Sequence, residues 1–328
     1  GADLRVAAGR GRSLHRRLSQ PSLCRRDPGS DRALRRGSVL RPSRRRTDPL
    51  YHLFLLPALA LFTLAVTLPA VLGFAYSFTN SIGFGDWDVI GLRNYIAMFR
   101  DQGILDSYLF TLGFALVTVV LVNALAFLLA LGLTSRIRFT AALRTIYVIP
   151  MVISGIVIAF VFQYLFANTV PMLGEALGSE ALSVSILANE DWAWVAIVIV
   201  TAWQSIPATM LIYIAGLVTI PADVYEAASI DGATGRQSLW HITLPLVSGF
   251  VVINTILGFK NYLNAYDIIV GLTDGGPGVA TRSVAMSIFR GFEGGDYAYQ
   301  MANAMVFFLI SIALAGLQLR LTRGRTVL

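Results

Sequence analysis

The stretch EAASIDGATGRQSLWHITLP, residues 226–245, is a polar segment between two long apolar stretches of the chain. Its opening Glu-Ala-Ala favours a helix, and the small alanine side chains allow another surface to approach closely. Gly232 allows the backbone to turn sharply, so that two short helices can meet there at an angle. Pro245 predicts the start of the next helix, where a missing amide hydrogen is least harmful. We therefore predict a connection with its own helical content over residues 219–245.

The apolar stretches on both sides belong to a set of six, each long enough to cross a hydrocarbon core about 30 Å thick. They cover residues 51–78, 108–134, 143–166, 191–218, 244–272 and 299–320. Hydrophobic residues make up 55% of the chain and charged residues only 14%. Such a composition is typical of a bilayer-embedded protein rather than a soluble one. We predict an all-α, polytopic membrane protein with six transmembrane helices.

Positive charge is concentrated before the first apolar stretch. Residues 1–48 contain fourteen Arg and four Asp, a net charge of +10, whereas the whole chain carries +7 and the remainder therefore −3. This segment is poor in aromatic residues, so it cannot bury enough apolar surface to fold alone, and it lacks side chains that stack on bases. We predict a disordered, Arg-rich cytoplasmic tail that is attracted to the lipid bilayer, with no nucleic-acid partner.

The distribution of arginine gives the orientation through the positive-inside rule. With a cytoplasmic N-terminus, the inner segments contain the tail arginines and seven more: Arg136, Arg138, Arg144, Arg236, Arg320, Arg323 and Arg325. The outer loops contain only four arginines, together with eleven acidic residues. An even number of spans also returns the C-terminus to the cytoplasm. This topology makes the 219–245 segment an inner loop.

Residues that commonly carry catalysis or bind metals are missing or scattered. Lys260 is the only lysine, and it does not follow the glycines of a phosphate-binding loop. His15, His52 and His241 are too far apart in sequence for a metal-ligand spacing, and Cys24 is the only cysteine. A serine nucleophile elbow and a zinc-peptidase helix are also absent. We expect no catalytic residue, metal site or cofactor in this chain.

The 226–245 stretch resembles the EAA loop of binding-protein-dependent ABC importer permeases. The family pattern is Glu-Ala-Ala, three residues, Gly, nine residues and Ile-x-Leu-Pro, and every fixed position matches. The resemblance implies an ABC importer type I permease fold for residues 49–328, with the loop at 219–245 docking into a cleft of an ABC ATPase dimer. ATP and Mg²⁺ would then bind to those ATPase subunits. The implied ATPase-coupling residues are Glu226 as the ion-pairing residue, Gly232 as the bend, and Ala227, Ala228 and Asp231.

Three further segments resemble the carbohydrate-uptake branch of this family, which includes permeases for maltose, other oligosaccharides and glycerol phosphate. They are Gly-Leu-Arg-Asn-Tyr at 91–95, Leu-Thr-Asp-Gly-Gly-Pro at 272–277 with Thr281 after it, and the small-residue start of the last span at 297–305. The resemblance implies a second homologous permease subunit and an extracytoplasmic sugar-binding protein as partners. It also implies a location in the bacterial inner, or plasma, membrane.

The fifth predicted span, 244–272, has the densest set of polar residues, which are costly inside a membrane and therefore indicate a site. On one helix they form two neighbouring stripes: Asn254, Gly258, Asn261 and Ala265, and then Lys260, Asn264 and Asp267. Amide and hydroxyl groups beside aromatic faces suit a sugar. In the resembled maltose permease, contacts come from this stretch and from the helix before the loop. The candidate substrate-binding residues are Gln204, Ser205, Gly258, Lys260, Asn261, Tyr262 and Asn264.

Several alternatives stay open at this point. Asn and Tyr side chains also hold transmembrane helices together. For Lys260, substrate lining and a structural role are equally compatible with the sequence, and the structural role is either an ion pair to Asp267 or snorkelling to an interface. Glycerol phosphate, a glycerophosphodiester or a polyol is an alternative cargo to a sugar, and a substrate-lining lysine favours a phosphate. A membrane receptor or scaffold without transport is a more distant alternative, because it has no need of an ATPase-docking loop.

Overall fold

The computed structural model describes residues 49–135 and 140–322, so the predicted tail at 1–48 lies outside the described residues. Of the described residues, 49–59 belong to one compact unit and those from Ala60 onward to a second. Regular structure in the described residues is helical, apart from one isolated antiparallel bridge between Thr79 and Val89.

The helices before the EAA loop include four long membrane-spanning candidates and several shorter helices. They are α1 (Pro49–Phe62, continued by a π-helical turn at Thr63–Thr67 and by Leu68–Tyr76), α2 (Arg93–Met98), α3 (Gln102–Thr134), α4 (Thr140–Val152), α5 (Gly155–Ala176), α6 (Glu180–Ser183) and α7 (Ala193–Val218). The helices that follow are α8 (Ala222–Ile230), α9 (Gly235–Leu246), α10 (Ser248–Leu263), α11 (Asp267–Leu272), α12 (Val284–Glu293) and α13 (Tyr297–Thr322).

Within the described part of the chain, five helices are long and apolar enough to cross a membrane: α1, α3, α5, α7 and α13. The pair α9 and α10 passes the same test together, with a bend of 63° between them, and makes a sixth span if both halves are counted as one. The predicted all-α membrane protein of about six spans is therefore confirmed.

The third span lies further along the chain than predicted. The sequence indicated 143–166, but the helix breaks after Val152 and the spanning helix is Gly155–Ala176. Ser154 has extended backbone angles (φ −58°, ψ 137°), which end one helix and begin the next. The Gln204 side-chain amide donates a hydrogen bond of 3.0 Å to the Ile153 carbonyl at this break. Hydropathy alone merges the two helices, because both are apolar.

The fifth span is also not the single helix that the 244–272 stretch predicted. Helix α10 ends at Leu263, and α11 begins only at Asp267. Side chains donate hydrogen bonds to backbone carbonyls near the break: Asn264 donates to the Lys260 carbonyl at 2.9 Å, and Ser283 donates to the Ala265 carbonyl at 3.0 Å. The predicted stripe from Lys260 to Asp267 therefore crosses a break and is not one helix face.

The protein core lies where α3, α7 and α10 meet. Helices α3 and α7 are the most buried of the spanning helices and contain fully buried alanines, which allow close helix approach. The Tyr213 hydroxyl on α7 donates to Asn123 Oδ1 on α3 at 2.6 Å. Asn254 on α10 donates to the Thr209 carbonyl on α7 at 3.2 Å. These bonds hold the helices that carry the candidate site, and they assign Asn254 to helix packing.

Two of the sequence motifs stabilise connections between spans. The Asn94 amide donates to the carbonyls of Ser77 and Thr79 at 2.9 and 2.8 Å, which fastens the 91–95 motif to the end of α1. In the 272–277 motif, the Thr281 hydroxyl donates to the Gly276 carbonyl at 2.6 Å and lies 2.8 Å from the Thr273 hydroxyl. Both motifs therefore act on the backbone of loops rather than at a cavity.

Candidate functional site

The EAA loop (residues 219–245) consists of helix α8, a tight turn and helix α9. Asp231 caps the C-terminus of α8, and Gly232 follows with φ +76°, a left-handed conformation that favours glycine. Thr234 then caps the N-terminus of α9 in a reciprocal arrangement with Gln237. The sequence thus folds here into two short helices that meet at Gly232.

One face of this loop is anchored and the other is exposed. Ala228 is buried, and the Tyr225 hydroxyl lies 3.0 Å from the Thr243 hydroxyl, which ties α8 to α9. Four of the five predicted coupling residues are exposed: Glu226, Ala227, Asp231 and Gly232.

The exposed face of α8 combines a carboxylate with apolar surface. Ile230 lies one turn after Glu226 and is 85% exposed, and Trp240 on α9 is 59% exposed. Across residues 49–135 and 140–322, the single ion pair joins Arg290 to Asp274, so Glu226 has no cationic partner there. Such a surface suits a partner that offers a cation inside an apolar groove.

The loop stands over the ends of two spanning helices. A cavity of about 600 Å³ lies between the loop and these helices, lined by Thr134 at the end of α3, Leu217 at the end of α7, and Tyr225 and Ser229 of α8. The loop therefore lies next to the ends of both central helices of the core.

A second, polar cavity of about 290 Å³ lies inside the spanning region, bounded by α5, α7, α10 and α11. Five of the seven predicted substrate-binding residues line it: Gln204, Ser205, Asn261, Tyr262 and Asn264. Because these residues come from two different spans, the fold brings together side chains that are about 60 positions apart.

The polar side chains around this cavity differ in whether they already have hydrogen-bond partners within the protein. Gln204 bonds to the Ile153 carbonyl, and the Ser205 side chain lies close to the Tyr262 hydroxyl. Asn264 bonds to the Lys260 carbonyl. Asn261 is exposed to the cavity and has no hydrogen-bond partner for its side chain among the described residues. Its amide is the group most available to a ligand.

The two remaining candidates lie outside the lining of this cavity. A Cβ on Gly258 would lie 3.3 Å from the Tyr262 ring and 3.6 Å from Val119, so Gly258 faces α3. Lys260 is exposed, and it makes no ion pair with Asp267. The ion-pair alternative for Lys260 is therefore wrong.

Residues 123–326, more than half of the chain, match a protein family described as the binding-protein-dependent transport system inner membrane component. The matched part contains the whole EAA loop and every residue that lines the polar cavity. This chain belongs to that family. It is a permease subunit, embedded in the membrane through several spans.

Individual relatives of this permease resemble it over nearly their whole length. The probable starch degradation products transport system permease protein AmyD of Thermoanaerobacterium thermosulfurigenes is 30% identical, over 84% of this chain and 95% of the relative. The trehalose/maltose transport system permease protein MalF of Thermococcus litoralis is 32% identical, over 85% of this chain and 96% of the relative.

A solved structure confirms the type I importer permease fold. A chain of a bacterial alginate ABC transporter, in complex with an alginate pentasaccharide-bound periplasmic protein, matches this permease with a TM-score of 0.75. The match has 20% sequence identity and covers 84% of this chain and 95% of that chain.

The sequence reasoning missed six residues that line the cavity of this permease: Gly155, Thr201, Ala265, Tyr266, Asp267 and Ile268. Gly155 follows the break after α4, and the nearby Pro150 was the available sign that the apolar run 143–166 is interrupted. Tyr266 and Asp267 lie at the start of α11. Polar residues inside the predicted fifth span were a sign of a break in the helix as well as of a polar helix face. Among the described residues, no group of three or more His, Cys, Asp or Glu is placed to hold a metal ion.

Proposed function

We propose that this permease moves a sugar or oligosaccharide across the inner membrane, after an extracytoplasmic binding protein has delivered it. The observation that carries this proposal is the polar cavity, whose amide and hydroxyl side chains lie beside the aromatic ring of Tyr262. This combination suits a polyhydroxylated ring, which presents hydroxyl groups at its edge and an apolar face. The printed names of both relatives, which concern starch products, trehalose and maltose, support the same cargo class.

The EAA loop supplies the coupling in this proposal. An ABC ATPase dimer, which binds ATP and Mg²⁺, docks on the exposed face of α8 with a basic residue against Glu226. The loop continues through α9 into α10, which carries Asn261, and it contacts the end of α7, which carries Gln204. Displacement of the loop by the ATPase therefore moves two walls of the polar cavity together.

A second, homologous permease subunit completes the translocation path, and both termini of this chain face the cytoplasm. Lys260 lies outside the cavity lining, so it does not support a phosphate-bearing cargo such as glycerol phosphate or a glycerophosphodiester. Membership of a transport family disfavours a receptor or scaffold without transport.

Co-purification and uptake test this proposal together. We expect the tagged permease, co-expressed with its neighbouring transport genes, to retain an ABC ATPase and to support uptake of radiolabelled maltose, maltotriose or trehalose. Glu226→Arg places a like charge against the basic partner, so it should abolish ATPase retention and uptake. Glu175→Arg is the matched control, since it makes the same charge change at an exposed residue of α5, outside the EAA loop. Uptake that persists with Glu226→Arg would refute the coupling assignment.

A further inference from the structure

The charge of the polar cavity comes from one residue. Among the side chains that line it, Asp267 alone is charged at neutral pH. We propose that Asp267 determines cargo specificity, by accepting hydrogen bonds from sugar hydroxyls and by excluding anionic cargo such as phosphorylated or acidic sugars. This inference rests on the proposed function, because it takes the cavity to be part of the transport path.

The placement of Asp267 follows from two helix starts that face each other. Asp267 is the first residue of α11, and Gly155 is the first residue of α5. An ideal Cβ built on Gly155 would lie 3.7 Å from the Asp267 Cβ and 3.6 Å from Gln204 Oε1. Because position 155 has no side chain, the space beside Asp267 and Gln204 stays open to the cavity.

The Asp267 carboxylate is not neutralised by the protein around it. Its side chain is exposed to the cavity, and it makes no ion pair among the described residues. Helices α5, α7 and α11 contain no Lys or Arg, and the one cation on α10 is Lys260, which lies outside the lining. The four helices that bound the cavity therefore supply no cation to its lining, and the negative charge of Asp267 is not compensated.

This charge distribution discriminates between cargo classes. A carboxylate is an acceptor with two oxygens, and it complements the donor amides of Gln204 and Asn261 around a ring of hydroxyl groups. A phosphate, sulfonate or carboxylate on the cargo carries a charge of the same sign as the Asp267 carboxylate and would be repelled by it at short range. Uncharged sugars are therefore favoured over anionic ones.

A cysteine reporter measures this field without any knowledge of the cargo. Asn264→Cys in a Cys24→Ser background places a single thiol in the lining, and the purified complex is treated with cationic MTSET or anionic MTSES. We expect the MTSET to MTSES rate ratio, normalised to a free thiol, to fall roughly fivefold to tenfold when Asp267→Asn is added, since one nearby charge has an effect of that order. Ser205→Cys is a second reporter if the first does not assemble.

Asp191→Asn is the matched control, because it removes the same charge from an exposed turn outside the cavity. It should leave the ratio unchanged. A ratio that does not respond to Asp267→Asn overturns the proposal.

Maltose uptake by the same complexes separates this inference from the proposed function. We expect Asp267→Asn to lower uptake of the neutral sugar about tenfold, because a charged hydrogen-bond acceptor is lost. Lack of maltose, maltotriose and trehalose uptake by the wild-type transporter would count against sugar import while leaving the reagent ratio intact. Normal uptake by Asp267→Asn would overturn the specificity role alone.

Discussion

At the scale of single residues, Gln204 and Asn261 line the same cavity but differ in their other contacts. Gln204 also donates a hydrogen bond to the Ile153 carbonyl, which stabilises the break between α4 and α5. The Asn261 side chain has no such partner among the described residues. A substitution at Asn261 therefore tests ligand contact alone, whereas one at Gln204 also disturbs the wall of the cavity.

We predict that Asn261→Ala lowers sugar uptake by up to about tenfold, since each lost hydrogen bond costs about 0.5–1.5 kcal/mol. Its melting temperature should stay close to that of the wild type. Gln204→Ala should lower both uptake and melting temperature, because it leaves the Ile153 carbonyl without its bond. Lys260→Ala, outside the lining, should keep normal uptake. Normal uptake by Asn261→Ala, measured with labelled sugar, would remove this residue from the site.

At the scale of helices, the angle between α8 and α9 depends on the backbone of one residue. Gly232 has φ +76°, and a Cβ there would meet no atom within 4 Å. A side chain at this position is therefore opposed by backbone conformation and not by crowding. The neighbouring Gly235 also has open space around a Cβ, but it lies in helix α9 with ordinary helical angles.

Alanine substitutions at Gly232 and Gly235 can be compared directly, because only Gly232 has a left-handed conformation. Gly232→Ala should destabilise the loop by roughly 1–2 kcal/mol, the usual cost of a left-handed conformation for an alanine, and should reduce ATPase retention and uptake. Gly232→Asn should retain more activity, because asparagine tolerates this conformation better. Gly235→Ala should have no harmful effect, since alanine favours a helix. Equal retention of the ATPase by both alanine variants in pull-down assays would contradict this explanation.

At the scale of the whole molecule, the polar cavity exists because α11 packs against α5. A Cβ on Gly271 would lie only 2.6 Å from the Ala159 Cβ and 3.0 Å from Ile156 Cδ1. The two helices can approach this closely only because position 271 has no side chain. This contact fixes the start of α11, and therefore Asp267, relative to the start of α5.

We predict that Gly271→Leu separates these helices and lowers the melting temperature, since overpacking a close contact typically costs about 1–3 kcal/mol. Uptake should fall with it, because the cavity loses one wall. Gly316→Leu on α13 adds the same side chain where a Cβ meets nothing within 4 Å, and it should be tolerated. Thermal melting of the detergent-solubilised protein, followed by size-exclusion chromatography, compares the two. A stable Gly271→Leu protein would show that this contact does not hold the fold.

The amino-acid sequence by itself determined the helical membrane architecture, the EAA loop and most of the polar residues around the cavity. These features are local, because hydropathy and motif spacing are properties of neighbouring residues. The tail at 1–48 stays a prediction, because it lies outside the described residues.

Only the tertiary structure decided where the third and fifth spans break and which residues face the cavity. Those breaks depend on side chains from distant segments, such as Gln204 at Ile153 and Ser283 at Ala265. For the same reason, Asp267 lines the cavity and Lys260 does not. Which face of a helix lines the cavity depends on the helices that pack against it, and the cavity is bounded by four helices from separate parts of the sequence.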